Sequence, residues 1–381
     1  MRQTRQIEFG KRSGLKVYPV SMGAMRFPEP EQAIPLIRKA IDSGLVYIDT
    51  SRGYGESEVV LGKALKDGYR EKVILSTKCS PWIKKVDADD EPTADCTYKR
   101  IIESMERLDV DYLDFYQVWN INSPEAYESV VRKGGMVDGI RRAIDEGLVG
   151  HTGFTTHDSP ENVSRYIDEA DWCEAILFTY NIMNPTYKEV IAKAHDKGIA
   201  TIVMNPIGGG LFSEDSKLLS DAVNKAVGSD DVIEVAHRYL NSNPNVDTII
   251  CGINKPEDIE STIANYEKPL FTEKQMAAIE DQMKTISPEG QNFCTSCRYC
   301  MPCHQGINIP AMMDVVYYDK IIGASKKAAE AYGWQRNPNN KDRSELVSKC
   351  TGCGACVKKC TQNLDIPELL GYVSDKFEKE D

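Results

Sequence analysis

Eight short runs rich in β-branched and aromatic residues, at 18–22, 46–50, 73–78, 113–119, 149–155, 175–180, 199–205 and 246–252, punctuate the first 270 residues of this 381-residue chain. Amphipathic stretches of about 10 to 15 residues separate them, among them EQAIPLIRKAIDSG, SEVVLGKALKDG, DCTYKRIIESMERL, MVDGIRRAIDEG, PTYKEVIAKAHDKG, DVIEVAHRYLNSN and PEDIESTIANYEK. Alternation at that spacing is the pattern of βα units around a parallel sheet. Eight units predict a closed (β/α)8 TIM barrel, a fold of about 250 residues, rather than an open sheet. Four of the helical stretches end in Gly, where a left-handed C-cap is expected. The segment IEFG followed by LKVYPV, ahead of the first run, is expected to form a hairpin at the barrel bottom.

A barrel of this kind carries its chemistry at the C-terminal ends of the strands. The polar residues predicted there include Asp49 after the second strand, Tyr54 in the following loop, Lys78 after the third, and Trp119 and Asn120 after the fourth. Thr155, Thr156 and His157 follow the fifth, Asn205, Pro206, Gly208, Gly209 and Gly210 the seventh, and Gly252, Asn254 and Lys255 the eighth. An Asp, a Tyr and a Lys at one mouth suggest a charge-tuned phenol. Tyrosine ordinarily titrates near ~10, and a neighbouring ammonium favours its phenolate, so Tyr54 is a candidate proton donor with Asp49 holding Lys78 in place. Residue types alone leave open that Asp49 caps a loop, that Tyr54 packs on a rim and that Lys78 is a solvated strand end.

The stretches GLKVYPVSMGAMRFP, YIDTSRGYGESEVVLGKAL, ILSTK, DYLDFYQVW, VMNPIGGGLF and IICGINKPEDIE, in that order, resemble the aldo-keto reductase superfamily over residues 5 to 270. The nearest likeness is to the branch whose barrel is followed by a ferredoxin-type iron–sulfur domain. The resemblance implies an Asp, Tyr, Lys and His tetrad, matched here by Asp49, Tyr54 and Lys78, with NAD(P)H as hydride donor. The fourth position departs: Trp119 stands where the family has His. Indole offers only an N–H donor and cannot take up a charge. Ordinary carbonyl reduction is therefore not expected, and another acceptor such as a conjugated double bond fits better. For the dinucleotide the resemblance implies Thr155, Thr156, Asn205, Pro206, Gly208, Gly209, Gly210, Gly252, Asn254 and Lys255, with glycines allowing close approach of a phosphate and Lys255 adding a point charge.

The cysteines divide the chain. Cys79, Cys96, Cys173 and Cys251 are scattered, whereas Cys294, Cys297, Cys300 and Cys303 form C-x2-C-x2-C-x2-C and Cys350, Cys353, Cys356 and Cys360 form C-x2-C-x2-C-x3-C. Runs of four favour iron–sulfur clusters over structural zinc, whose knuckles come as separated pairs. In two-cluster ferredoxins the fourth Cys of each run ligates the other cluster. Two [4Fe–4S] clusters are predicted, one on Cys294, Cys297, Cys300 and Cys360, the other on Cys350, Cys353, Cys356 and Cys303. Residues 1–280 are thus expected to be the aldo-keto reductase-like barrel and 281–381 a small, mainly helical ferredoxin-like iron–sulfur domain. Of the aromatics between the runs, Tyr317, Tyr318, Tyr332 and Trp334 are expected to pack against the barrel rather than to line an electron path.

The formal charge is −12, and 34 basic against 47 acidic residues lie in the first 290 positions. Such a balance argues against nucleic-acid binding, which needs clustered Lys and Arg. No apolar run approaches a membrane span, and the N-terminus lacks the apolar stretch of a secretory signal, so a cytoplasmic protein with reduced thiols is expected. The functional expectation is an oxidoreductase coupling cluster electron transfer to reduction, or reverse oxidation, of a small organic substrate, NAD(P)-linked, with an external ferredoxin or other carrier as partner. A flavin has no recognisable motif here, though an unrecognised one would reconcile hydride with single electrons. The alternative is a ferredoxin-like carrier on a barrel that has lost catalysis.

Overall fold

The computed structural model describes residues 2, 3, 5–82, 89–213, 216–286, 293, 294 and 297–378. Eight parallel strands close into one barrel in the order β10-β3-β4-β5-β6-β7-β8-β9. They are β3 (Val20–Gly23), β4 (Tyr47–Asp49), β5 (Ile74–Cys79), β6 (Leu113–Ile121), β7 (Val149–Thr156), β8 (Ala175–Thr179), β9 (Ala200–Met204) and β10 (Thr248–Gly252). Each coincides with one of the eight runs to within two residues at either end. A short hairpin, β1 (Ile7–Glu8) and β2 (Lys16–Val17), precedes them. Phe9 and Val17 from this hairpin are fully buried with Tyr47, Phe115, Ala175 and Ala200, and the Phe9 ring lies 5.2 Å from Tyr47 and 5.6 Å from Phe115. Tyr47, Ala175 and Ala200 are the first residues of their strands, so the hairpin plugs the N-terminal end, as expected.

The helices on the barrel side of the sequence are α1 (Pro30–Asp42), α2 (Ser57–Ala64), α3 (Ala94–Leu108), α4 (Pro124–Val131), α5 (Met136–Asp145), α6 (Pro160–Glu169), α7 (Lys188–Asp196), α8 (Lys217–Val227), α9 (Val232–Asn241), α10 (Pro256–Glu267) and α11 (Glu273–Ile286). Gly44, Gly68, Gly147 and Gly198, which end four of the expected helices, all take positive φ, as a left-handed C-cap requires. Four helices, α4, α6, α8 and α11, go beyond the seven expected ones. Two of these open on a Ser-Pro-Glu signal: Ser123 and Ser159 accept the amides of Ala126 and Asn162, and proline takes the first helical turn.

The chain divides into two compact units, one of residues 1–180, 186–206 and 237–270, holding every barrel strand, and one of 181–185, 207–236 and 271–381. The second unit contains α12 (Ile309–Val316), α13 (Ser325–Arg336) and α14 (Ile366–Val373) around a core of Ile307, Met312, Val315, Tyr332, Leu370 and Val373. Six cysteines, Cys294, Cys300, Cys303, Cys350, Cys356 and Cys360, pack against that core. Tyr317 and Tyr332 are buried, Tyr332 within this helical core and not against barrel strands as expected, and Trp334 is exposed. Among the described residues no helix is long and apolar enough to cross a membrane.

Candidate active site and metal centres

Asp49 ends β4, and Lys78 lies on the neighbouring strand β5, so the sheet brings them side by side at its C-terminal edge. The Lys78 ammonium donates to Asp49 Oδ2 at 2.5 Å and to the Thr50 carbonyl at 2.8 Å, and both side chains are almost wholly removed from solvent. Burial pushes the Asp49 carboxyl above its usual range and the Lys78 ammonium below its own, and each partner's charge opposes the shift of the other. Asp49 Oδ1 is buried without a hydrogen-bond partner. Lys78 Nζ also lies 5.0 Å from the centroid of the Tyr54 ring. Trp119 meets the same ring edge to face, with centroids 5.4 Å apart and planes at 80°. All four residues singled out for catalysis therefore meet at one place, with Tyr54 half-buried above a buried ion pair.

The loop that carries Tyr54 is pinned along its length. Ser57 Oγ donates to the Ala24 carbonyl and shares a bond with Thr50 Oγ1, Ser51 Oγ donates to the Lys78 carbonyl, and Arg107 Nη2 donates to the Gly55 carbonyl. Arg107 also pairs with Glu58, a fully buried carboxylate that accepts from Thr77 Oγ1 on β5. Burial raises the Glu58 carboxyl, and the bonds from Thr77, Ser104 and Arg107 oppose that rise. Sequence reasoning passed over Glu58; its only signal was an acid in the first turn of a helix that follows a candidate catalytic tyrosine.

Trp119 owes its position to a break in β6. The β6–β7 register shifts between Val118 and Ile121, and Asn120 sits in the left-handed region at φ 64°. Asn tolerates that conformation better than most side chains. The Thr155 hydroxyl accepts the Asn120 amide at 2.8 Å, and the Trp82 indole donates to the Trp119 and Asn120 carbonyls at 3.2 and 2.6 Å. A bulge so clamped re-aims the side chain next to it. Trp82 was not among the candidates, and nothing in its sequence surroundings marks it. Asn120 Oδ1 is a second buried acceptor without a partner near this mouth, whereas Asn122 is exposed.

The residues expected to hold a dinucleotide are a mixed set. Thr155 and Thr156 are buried, and Thr156 Oγ1 donates to the Ile121 carbonyl while accepting the Asp158 amide. Asn205 is left-handed at φ 57°, followed by buried Pro206. The amides of Asn254 and Lys255 are taken by the Asp258 carboxylate at 2.9 and 3.1 Å, while Gly252 has open space over its α-carbon. Gly208, Gly209 and Gly210 belong to the second compact unit, all at positive φ. A Cβ on Gly208 would stand 2.8 Å from the Phe293 ring, so its bareness admits that ring; Gly210 faces open space, and its amide bonds the Ile207 carbonyl. Phe293 lies 5.9 Å from Phe212 and 5.8 Å from Tyr317, centroid to centroid, and the Tyr317 hydroxyl donates to the Leu211 carbonyl.

Cysteines of the two runs approach one another. Burial pushes the Cys300 thiol up to about 12, with the neighbouring Cys297, Cys360 and Cys356 adding to the rise. Cys360 is raised by burial and by Cys297, and Cys356 by burial and by its run-mates Cys350 and Cys353. Cys360 thus keeps company with the first run, as the crossed ligand sets require. A cavity of about 360 Å³ opens beside Cys294, bounded by Met313, Tyr317, Leu364 and Leu369. Among the described residues no three of these side chains close on a single-ion position. A donor set of eight thiols, with Cys360 near the first run, fits the chemistry of cubane clusters, since iron stabilises thiolates that burial alone disfavours.

Removing the negative partner of Lys78 tests how much this arrangement rests on its ion pair. Asp49→Asn leaves a buried ammonium without its counter-charge and should lower barrel stability by about 3–5 kcal/mol in urea unfolding. Asp49→Asn combined with Lys78→Met should recover most of that loss. A single-variant loss within about 1 kcal/mol, the value of an exposed pair, would contradict the geometry.

A family model described as the aldo/keto reductase family matches residues 19–283, and one described as a 4Fe-4S dicluster domain matches 293–364. The uncharacterized oxidoreductase YqkF of Bacillus subtilis (strain 168) is 21% identical over 304 residues, covering 71% of this chain and 94% of that protein. The structure of aldo-keto reductase AKR11C1 from Bacillus halodurans, in its holo form, is similar at a TM-score of 0.63 and 20% identity, over 74% of this chain and 96% of that one. The putative aldo-keto reductase PA4992 from Pseudomonas aeruginosa is similar at a TM-score of 0.55 and 21% identity, over 68% and 94%. At these identities the likeness to solved structures speaks for the fold alone.

Proposed function

Since the chain belongs to the aldo/keto reductase family and carries a 4Fe-4S dicluster domain, we propose that this oxidoreductase couples cluster electron transfer to reduction, or in reverse oxidation, of a small organic substrate, with Tyr54 as proton donor. The observation that carries the reading is the buried Lys78–Asp49 pair under the Tyr54 ring. An ammonium beside a phenol favours the phenolate, and the carboxylate keeps that ammonium charged and in place. Tyr54 then gives up its proton to an atom of the substrate that gains electrons and regains it from solvent. Trp119 closes the edge of the Tyr54 ring with a large apolar body. That favours a flat acceptor, such as a conjugated double bond, over a carbonyl that needs a second proton-bearing group. Asp49 Oδ1 and Asn120 Oδ1 remain as buried acceptors for a substrate hydroxyl or N–H.

The residues that would hold the clusters are Cys294, Cys297, Cys300 and Cys360 for one and Cys350, Cys353, Cys356 and Cys303 for the other. Bound there, they supply and take up single electrons. A second reading adds NAD(P)H as the two-electron partner, favoured by the open space at Gly252 and by the exposed ammonium of Lys255. The bonds already made by Thr156 and by the amides of Asn254 and Lys255 favour an electron supply through the cysteine-rich unit instead.

Anaerobic titration of the holoprotein with NADH and with NADPH, followed by cluster absorbance, separates the two. We expect no bleaching by either nucleotide and full bleaching by a low-potential one-electron donor. Bleaching by a nucleotide establishes the second reading. Cluster reduction without turnover on any carbonyl or activated alkene would instead leave a ferredoxin-like carrier.

A further inference from the structure

Of the twelve cysteines only Cys353 is exposed; the others are buried or half-buried. It stands in the second run, beside exposed Thr351 and Gly352. Three lysines rim that run: Lys349 immediately before Cys350, and Lys358 and Lys359 in the short turn Val357–Lys359 that leads into Cys360. All three are exposed. From Leu346 to Leu364 there is no Asp or Glu, in a chain whose formal charge is −12. Lys349 pairs with Glu345 at 2.7 Å, which leaves Lys358 and Lys359 as the cationic edge of this surface.

We propose that the surface formed by Cys353, Thr351, Gly352, Lys358 and Lys359 is the docking site of a small acidic one-electron carrier protein. The proposal rests on the cluster-coupled reading above and names the partner it requires. Three features converge on that partner. Electron transfer needs close approach, and Cys353 is the cluster-ligand position that reaches solvent. The small residues Thr351 and Gly352 leave the approach unobstructed. Lys358 and Lys359 rim a stretch without a carboxylate in an otherwise acidic chain, so a carrier with a negative face is attracted here. A nucleic acid is disfavoured by that same overall charge.

Each encounter moves one electron. The carrier is oxidised by one unit and the cluster on Cys350, Cys353, Cys356 and Cys303 is reduced by one, with no bond made or broken. Two encounters supply the pair of electrons that a two-electron reduction of substrate consumes, and the protons come from Tyr54 and solvent.

The test uses the holoprotein and its Lys358→Glu, Lys359→Glu double variant, both with full iron content. Cluster bleaching is followed by stopped flow with a reduced acidic flavodoxin or ferredoxin, and in parallel with photoreduced deazaflavin, a small uncharged donor. Affinity for the oxidised acidic carrier is measured by sedimentation. At low ionic strength the double variant should bleach at least about tenfold more slowly with the acidic carrier, and bind it correspondingly more weakly. The difference should shrink with added salt, over a Debye length of about 10 Å at 0.1 M. Bleaching by deazaflavin should be unchanged. Equal rates for the two proteins with the acidic carrier, or equal loss with deazaflavin, would overturn the proposal. So would a basic carrier that reduces the wild type as fast as an acidic one. None of these measurements needs substrate, so a failure of Tyr54 as proton donor is read separately.

Discussion

Replacing Tyr54 with phenylalanine is expected to cut turnover by about 10²–10⁴-fold, the usual range for a positioned proton donor. The substitution removes one hydroxyl and leaves the ring. The edge-to-face contact with Trp119 and the approach of Lys78 to the ring depend on the aromatic plane, not on the oxygen, so both persist. The loop is held by Ser51, Ser57 and Arg107. Iron content, cluster absorbance and urea midpoint should therefore stay at wild-type values. Turnover is measured on whichever aldehyde, ketone or activated alkene the wild type reduces, with the clusters reduced beforehand so that electron supply is not limiting. Unaltered turnover would remove Tyr54 as the acid. A loss accompanied by lower iron content would point to a folding effect.

The second large effect concerns Cys360. Serine at this position should lower the iron content from about eight to about four atoms per chain, because one whole cubane loses a ligand. Which cluster disappears is the informative part. Cys360 lies near Cys297 and Cys300 of the first run. Combining Cys360→Ser with Cys300→Ser should therefore cost no further iron, whereas combining it with Cys356→Ser should remove both clusters. Ligation confined within each run would reverse that pattern, and iron analysis with electron paramagnetic resonance of the reduced variants distinguishes the two.

The barrel was legible because parallel strands covered on both faces read as continuous apolar runs bounded by turns. The hairpin plug was legible from alternation before the first run. Helices were harder. In α6 only Val163, Tyr166 and Ile167 are buried, too few for the periodicity to stand out, although Ser159 and Pro160 marked its start. The 4Fe-4S dicluster domain was legible because ligand spacing is written directly into the chain, whereas the crossed ligand sets are what the two-cluster ferredoxin pattern implies. The mouth was legible only in part. Asp49, Tyr54, Lys78 and Trp119 lie at predictable strand ends, but the clamp on Trp119 depends on the backbone of Asn120 turning left-handed and on an indole from another loop. Neither leaves a trace in residue order. The seating of Phe293 on Gly208 was likewise invisible, since the two are 85 positions apart and glycine there reads equally as a phosphate loop or as a place for a ring.

That last contact ties a thiol to a distant glycine. Phe293 is joined directly to Cys294, so whatever shifts the ring in the notch at Gly208 also shifts the first thiol of the run. Any side chain at position 208 would meet that ring at 2.8 Å and would have to adopt a positive φ besides. A substitution at a glycine far from either cysteine run would thus reach a candidate ligand through one ring and one peptide link, by displacement and not by any change to the ligand itself.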